Sequence, residues 1–274
     1  MSDDYAVNHY ENFPVASVLL PRRLRRPVRI IYRFARAADD FADEGNLPAE
    51  ERLRLLDGFR AQLALIEQGQ TPREPLFADL AEIIRQYQLP IQLFYDLLSA
   101  FSQDVSKTRY ANFGEVMDYC RRSANPIGRL LLHLYGETDE RNLAHSDAIC
   151  SALQVINFLQ DVAIDYKKNR IYLPQDEMEK YRIREQHIAA GDTGGMWVPF
   201  IMPQIERARK LLQGGAPLGK ELPGRLGLEM RLIIAGGETI LRKLYQSKGD
   251  MFNQRPVLQP QDWLKMLWKA LRAR

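Results

Sequence analysis

The sequence predicts an all-α fold, a helical bundle around a central cavity, and three observations carry that expectation. Apolar residues recur at three- and four-residue spacing in nearly every segment. No stretch alternates like a strand for long. Proline and glycine fall where helices start and stop. Arg26 to Asp43 reads as the first helix, closed at Glu44-Gly45-Asn46, where glycine accepts the left-handed cap conformation. Pro48 opens a second helix to about Gln68, because an N–H in the first turn has no helical partner to lose. After the loop "GQTPREP" come helices over Leu76–Tyr87 and Ile91–Ser102, parted at Pro90. Phe113–Arg122 and Asn125–Tyr135 form the next pair, with Pro126 kinking or restarting the chain. Asn142 to Lys167 is the longest uninterrupted candidate, about 39 Å at 1.5 Å per residue, with Pro174 as its outer limit. Gln175–Ala190, Met196–Leu212, Leu222–Ser247 and Gln259–Ala273 complete the set, with "GDTGG" and "QGGAPLGKELPG" as loops. No internal repeat or low-complexity linker divides the 274 residues, so a single domain over 1–274 is expected.

Composition removes several function classes. With 46% hydrophobic and 27% charged residues the chain is neither disordered nor collagen-like. Its apolar runs are short, as at Leu130–Leu132, against the roughly 20 residues a membrane-spanning helix needs. The opening "MSDDYAVNHYENFP" is acidic and polar rather than a secretory leader, and the expected compartment is the cytoplasm. Cys120 and Cys150 make no disulfide framework, and no Cys/His group has zinc spacing. A net charge of +3, from 38 basic and 35 acidic residues, gives no reason to expect a nucleic-acid partner. Seven arginines between Arg22 and Arg36 come without aromatic interleaving or a recognised nucleic-acid motif. His133, His145 and His187 form no constellation. The C-terminal "DWLKMLWKALRAR" puts Trp263, Leu264, Leu267, Trp268 and Leu271 on one helical face and Lys265, Lys269, Arg272 and Arg274 mostly off it. That is the pattern of an interfacial helix, implying peripheral contact with the inner membrane face; an ordinary packed terminal helix is the alternative.

Two clusters of carboxylates point to chemistry. In "RIIYRFARAADDFADEG", Asp39 and Asp43 are four residues apart and share a helix face, about 5–6 Å apart at Cβ. Arg36 and Tyr32 extend that stripe, while Ile30, Phe34, Ala37 and Phe41 lie opposite and can pack. Like charges at this spacing cost a helix a few tenths of a kcal/mol, a repulsion that a bound cation removes. In "ALQVINFLQDVAIDYKKNRIYLP", Asn157, Asp161 and Asp165 repeat the spacing inside a helix that is apolar over most of its circumference, and hence central. Buried carboxylates need partners: here metal ions, or Lys167, Lys168 and Arg170 at the helix end. Two such oxygen-bearing faces opposite one another suit magnesium, which binds through few carboxylates, several waters and substrate phosphate oxygens. Ions so held attract a diphosphate, and Arg36 and nearby basic residues bind its other oxygens. Such a site pulls diphosphate off carbon and leaves a carbocation shielded by apolar and aromatic walls. The bland alternative is that each acidic pair is a solvated helix face.

At these residues the sequence resembles the squalene/phytoene synthase family of class I isoprenoid synthases. Asp39-Asp40-Phe41-Ala42-Asp43 matches the family's first DxxxD motif. Asn157 to Asp165, continuing through Arg170-Ile171-Tyr172-Leu173-Pro174, matches its NxxxDxxxD and "DRIYLP"-like second signature. The likeness runs from about His9 to Arg255. It implies an all-α fold whose two aspartate motifs face each other across a cavity, Mg²⁺ as cofactor and an isoprenoid diphosphate as substrate. Asp39, Asp43, Asn157, Asp161 and Asp165 are the implied metal ligands. Tyr32 and Arg36 match residues that bind diphosphate or steer the cation. His9 and Asn12 match an N-terminal segment that closes over diphosphate, and Arg255 a C-terminal basic residue of similar task. Asp40, Arg121 and Arg170 complete the implied substrate-binding set, and Tyr172 and Asn125 join the aspartates as implied catalytic residues.

The departures narrow the reading. Head-to-head condensing members usually carry Arg before the second DxxxD; this chain has Gln160. They usually read YCY-x-VAG-x-VG; this chain reads Tyr119-Cys120-Arg121-Arg122-Ser123-Ala124-Asn125-Pro126-Ile127-Gly128. That segment, with "ENFPVAS" at Glu11 to Ser17, resembles the branch that makes hydroxysqualene in bacterial hopanoid pathways. The branch implies ionisation of presqualene diphosphate, rearrangement and capture of the cation by water, without NADPH. Asn125 is the expected orienter of that water, near Tyr172 or Arg121; its alternative role is an N-cap before Pro126. Two other functions stay open. One is head-to-head prenyl transfer giving squalene, presqualene diphosphate or phytoene-type products. The other is a catalytically silent assembly or binding relative, which the presence of Asp39, Asp43, Asp161 and Asp165 argues against.

Overall fold

The computed structural model describes residues 20–43, 45 and 47–272. The described residues form helices joined by short turns, and their only strand-like pairing is a parallel bridge between Arg109 and Ile171. Helix α1 (Arg22–Asp43) starts four residues earlier than its pattern predicts and carries Pro27 inside it. Proline there removes the bond to the carbonyl four residues back, and the Tyr87 hydroxyl donates to that Arg23 oxygen at 3.4 Å instead. Helices α2 (Ala49–Glu67), α3 (Pro75–Tyr87) and α4 (Gln92–Asp104) follow as predicted within two residues. In α5 (Phe113–Ser123) the Asn112 side chain caps the Glu115 N–H at 3.1 Å, and Glu115 reaches back to the Ala111 N–H at 2.8 Å. Helix α6 (Asn125–Tyr135) ends at Gly136, whose φ of 78° favours glycine.

Two predicted helices are divided. The segment expected as one helix over Asn142–Lys167 is α7 (Glu140–Gln160) and α8 (Val162–Lys167), parted at Asp161 with φ −109° and ψ 14°. Aspartate is a poor interior helix residue, and this one is drawn out by a long-range partner described below. Gln175–Ala190 is α9 (Gln175–Lys180) and α10 (Glu185–Ala190), because Arg182 turns left-handed at φ 56° to bury Ile183. Helix α11 (Trp197–Gly215) follows its prediction within three residues, and the helix expected over Leu222–Ser247 is α13 (Gly224–Gln246), preceded by a short α12 (Leu218–Glu221) in the segment expected as a loop. Helix α14 (Pro260–Arg272) closes the described chain.

Two buried clusters organise these helices. The first joins α1 to α4 around Phe34, whose ring meets Phe59, Phe77 and Phe94 at 5.5, 6.1 and 5.3 Å. The second surrounds α7 with α5, α11 and α13 and holds Ile156, Trp197, Ile205, Leu212 and Leu241. Helix α6 serves both, since Leu130 and Leu134 enter the first cluster and Leu132 the second. Helix α7 is central, as its apolar circumference predicts. Cys120 lies in the second cluster, where burial pushes its thiol up to about 12.

Helices α7 and α11 pack extensively against each other, and Gly215 allows their close approach. A Cβ there would lie 2.5 Å from the His145 carbonyl oxygen and 2.6 Å from Ile149 Cγ1. Gly215→Ala therefore forces the helices apart and costs about 1–3 kcal/mol. A denaturant midpoint unchanged by the substitution would show that the pair yields freely.

Candidate active site

The inward stripe of α1 carries Tyr32, Arg36, Asp39 and Asp40, all half-buried. One guanidinium serves two carboxylates: Arg36 lies 2.7 Å from Asp40 and 3.5 Å from Asp39. Asp43 is the last residue of this helix. His9 and Asn12 lie outside the described residues.

The second stripe sits where α7 stops. Around it Val155, Ile156, Phe158, Leu159 and Gln160 are buried, and Asn157 alone is exposed. The spacing of the stripe survives the helix break. The Asp161 N–H donates to the Asn157 carbonyl at 2.9 Å, and the Asp165 N–H donates to the Asp161 carbonyl at 2.8 Å. The cation facing Asp161 is Arg255, Nε to Oδ1 at 2.6 Å and Nη2 to Oδ2 at 3.2 Å. Such two-pronged pairing is strong and directional. For Asp161 the protein partner is thus not one of Lys167, Lys168 and Arg170 at the helix end, but a residue 94 positions away in sequence. Gln160, buried, donates its side-chain amide to the Pro256 carbonyl at 2.5 Å and so pins the segment that presents Arg255.

Arg170 serves another purpose. Its guanidinium donates to the Asp104 carbonyl at 2.9 Å, and the Ile171 N–H donates to the Thr108 carbonyl at 2.9 Å. These bonds clamp the segment 170–173 against the end of α4 and set an aromatic wall. Phe158 and Tyr172 stack face to face at 3.7 Å and 5°. Tyr110 stacks on Tyr172 at 5.4 Å, and Tyr119 meets Tyr110 edge-on at 5.8 Å. Beneath them Tyr119 donates its hydroxyl to the buried Asp104 at 2.7 Å. Burial first, and the Asp104 charge second, hold the phenols of Tyr110, Tyr119 and Tyr172 far above the ordinary tyrosine range. These groups stay protonated at physiological pH; they can donate hydrogen bonds and present ring faces, but they are not bases.

Sequence reasoning missed Asp104, Tyr110, Tyr119 and Phe158 as members of this wall. Tyr119, the residue before Cys120, and Phe158, the residue after Asn157, lay in the segments quoted above; Asp104 and Tyr110 had no sequence signal. Asp104 reaches Tyr119 from another helix.

Two further expectations are revised. Arg121 does not reach the wall: it is exposed on α5 and pairs with Asp118 at 2.8 Å. One residue on, 100° around the helix, Arg122 turns inward to Gln103 at 2.7 Å, and Gln103 donates to the Tyr110 hydroxyl at 3.2 Å. Asn125 is not an N-cap. It is the first residue of α6, buried, and its Oδ1 accepts from the Ser151 hydroxyl at 2.8 Å. Among the described residues nothing accepts from its amide nitrogen.

Among the described residues no three His, Cys, Asp or Glu side chains converge to hold an ion. The donors of the two stripes are all hard oxygens, and arginines face Asp39, Asp40 and Asp161. That fits a magnesium ion bound through one or two carboxylates and completed by water and phosphate oxygens.

The profile of the Squalene/phytoene synthase family matches residues 6–262. The chain is 36% identical over 252 residues to a hydroxysqualene synthase of Rhodopseudomonas palustris, covering 91% of this chain and 84% of that one. It is 38% identical over 255 residues to a hydroxysqualene synthase of Zymomonas mobilis, covering 89% and 82%. The crystal structure of squalene synthase HpnC from Alicyclobacillus acidocaldarius superposes with a TM-score of 0.80 at 34% identity, over 88% of this chain and 90% of that one.

Proposed function

The chain belongs to the squalene/phytoene synthase family and is an isoprenoid-processing enzyme, and from that premise we propose that it converts presqualene diphosphate to hydroxysqualene. In the proposed reaction a carbon–oxygen bond breaks and diphosphate leaves with the electron pair. The carbon skeleton then rearranges, and a water oxygen bonds to the cation and releases a proton. No reductant enters. The observation that carries the reading is the likeness to hydroxysqualene synthases over about nine-tenths of the chain, with Asp39, Asp43, Asp161 and Asp165 all present.

We assign roles to its residues from their match to the family's motifs. Asp39, Asp43, Asn157, Asp161 and Asp165 hold Mg²⁺, which when bound supplies positive charge to a departing diphosphate. Arg36 and Arg255, each now on a carboxylate, are placed to take diphosphate oxygens, with Tyr32 and Asp40 beside Arg36. Arg170 acts by clamping Tyr172 rather than by touching substrate. The stacked cluster of Phe158, Tyr172 and Tyr110 supplies an aromatic wall that excludes bulk water from the carbocation. Asn125, its oxygen occupied by Ser151, keeps an N–H donor for one water molecule.

The test offers presqualene diphosphate and farnesyl diphosphate separately, with Mg²⁺, each with and without NADPH. Hydroxysqualene from presqualene diphosphate without reductant is the expected result. Turnover of farnesyl diphosphate would instead make the chain a head-to-head prenyl transferase. Turnover of neither would favour a silent relative. Asn125→Ala is expected to lower the share of hydroxysqualene among the products several-fold with diphosphate release retained; an unchanged product ratio removes the water-orienting role.

A further inference from the structure

Helix α14 is built in three sectors, and the structure packs an unexpected one. Buried residues recur every fourth position, at Asp262, Met266 and Ala270, and form the seam against α13. Both ends of that seam are fastened. Lys243 of α13 pairs with Asp262 at 2.5 Å, and Arg231 of α13 donates to the Ala270 carbonyl at 2.7 Å. The orientation of α14 is thereby set, with its largest apolar side chains turned away from the protein. Trp263, Leu264, Leu267, Trp268 and Leu271 are all exposed, Leu264 by 73% and Trp268 by 56%. A terminal helix serving only the core would bury this ridge; here the small residues are buried and the ridge is left outside.

Lys265, Lys269 and Arg272 fill the third sector, beside the ridge. None of them has a carboxylate partner among the described residues, and Arg272 lies over the Trp268 ring at 3.7 Å. Neighbouring elements add the same sign of charge. Lys220 and Arg225 line one hollow with Leu271, and Arg242 lines another with Leu264 and Trp268. No helix of the described residues is long and apolar enough to cross a membrane.

We propose that this face of α14 docks on the surface of a lipid bilayer containing anionic headgroups, with the Trp–Leu ridge seated at the acyl boundary and the basic sector on the phosphates. Two tryptophans on an apolar ridge flanked by cations match the bilayer interface in both polarity and charge. A cation near an anionic membrane surface contributes roughly fivefold to partitioning. The proposal rests on α14 and its neighbours alone and is independent of the reaction assigned above.

The experiment is co-sedimentation of the full chain with phosphatidylcholine vesicles, with and without phosphatidylglycerol. Binding is expected only where phosphatidylglycerol is present, with weakening in high salt. Lys265→Ser with Lys269→Ser is expected to reduce partitioning by roughly 25-fold, and Leu264→Glu with Trp268→Glu to abolish it. Brominated acyl chains are expected to quench Trp263 and Trp268 fluorescence and to spare the buried Trp197. These positions are exposed, so circular dichroism of the variants stays that of the parent chain. Equal binding by parent and variants, or no binding to either vesicle, overturns the proposal. So does a concentration-dependent dimer that the Leu264→Glu, Trp268→Glu variant dissolves, since the ridge would then belong to a second copy.

Discussion

Asp161→Asn is expected to slow Mg²⁺-dependent diphosphate release by about 10²–10³-fold or more, the scale on which a group serving developing charge acts. Asparagine keeps the size and one oxygen of aspartate, so it can still accept from Arg255, but it loses the charge that holds a cation. Asp39→Asn on α1 is expected to fall in the same range. The accompanying loss of stability is expected to be modest, because the asparagine oxygen still accepts from the Arg255 guanidinium. The measurement is single-turnover diphosphate release at saturating Mg²⁺, paired with a denaturant melt of each variant. A variant with the parent's melt and the parent's rate would show that its carboxylate belongs to an ordinary solvated helix face.

Phe158→Ala is expected to have the largest effect on stability, about 3–5 kcal/mol, the usual cost of emptying a buried aromatic site. The ring lies in α7, is buried, and stacks on Tyr172 at 3.7 Å while touching Tyr119 at 6.0 Å. Its loss opens a space beside the segment that Arg170 clamps to α4. For a chain of this size the melting temperature is expected to fall by roughly 10 °C. Phe158→Leu refills most of the volume without the ring face. It is expected to recover most of the stability and to leave the rate of cation formation impaired. If leucine restored activity in full, the wall would act by excluding water rather than through its rings.

Much of the fold was legible in the sequence because helical information is local. The spacing of Ile30 and Phe34, the Gly at position 45 and the Pro at position 48 each act within one turn of chain. The two stripes are spaced locally for the same reason: Tyr32, Arg36, Asp39 and Asp43, and Asn157, Asp161 and Asp165, recur at helical spacing. The errors fall where a distant partner decides. The helix over Asn142–Lys167 breaks at Asp161, where Arg255 grips the side chain. The Gln175–Ala190 helix breaks at a left-handed Arg182 that lets Ile183 reach the core. Of two adjacent arginines the sequence offered no means to choose, and packing of α5 sent Arg122 inward and Arg121 out.

Local spacing along the chain settled that it is helical, that it carries two aspartate stripes, and that its last helix is amphipathic. Tertiary structure alone decided which cation faces Asp161, how Asp104 comes to lie under Tyr119, and why Gln160 matters as the anchor of the Arg255 segment. It also decided that α14 packs through Asp262, Met266 and Ala270 and leaves its tryptophans outside. The physical reason is one of range. Helical periodicity is set by hydrogen bonds four residues long, whereas a buried charge takes whichever partner the packing of remote segments brings within about 3 Å.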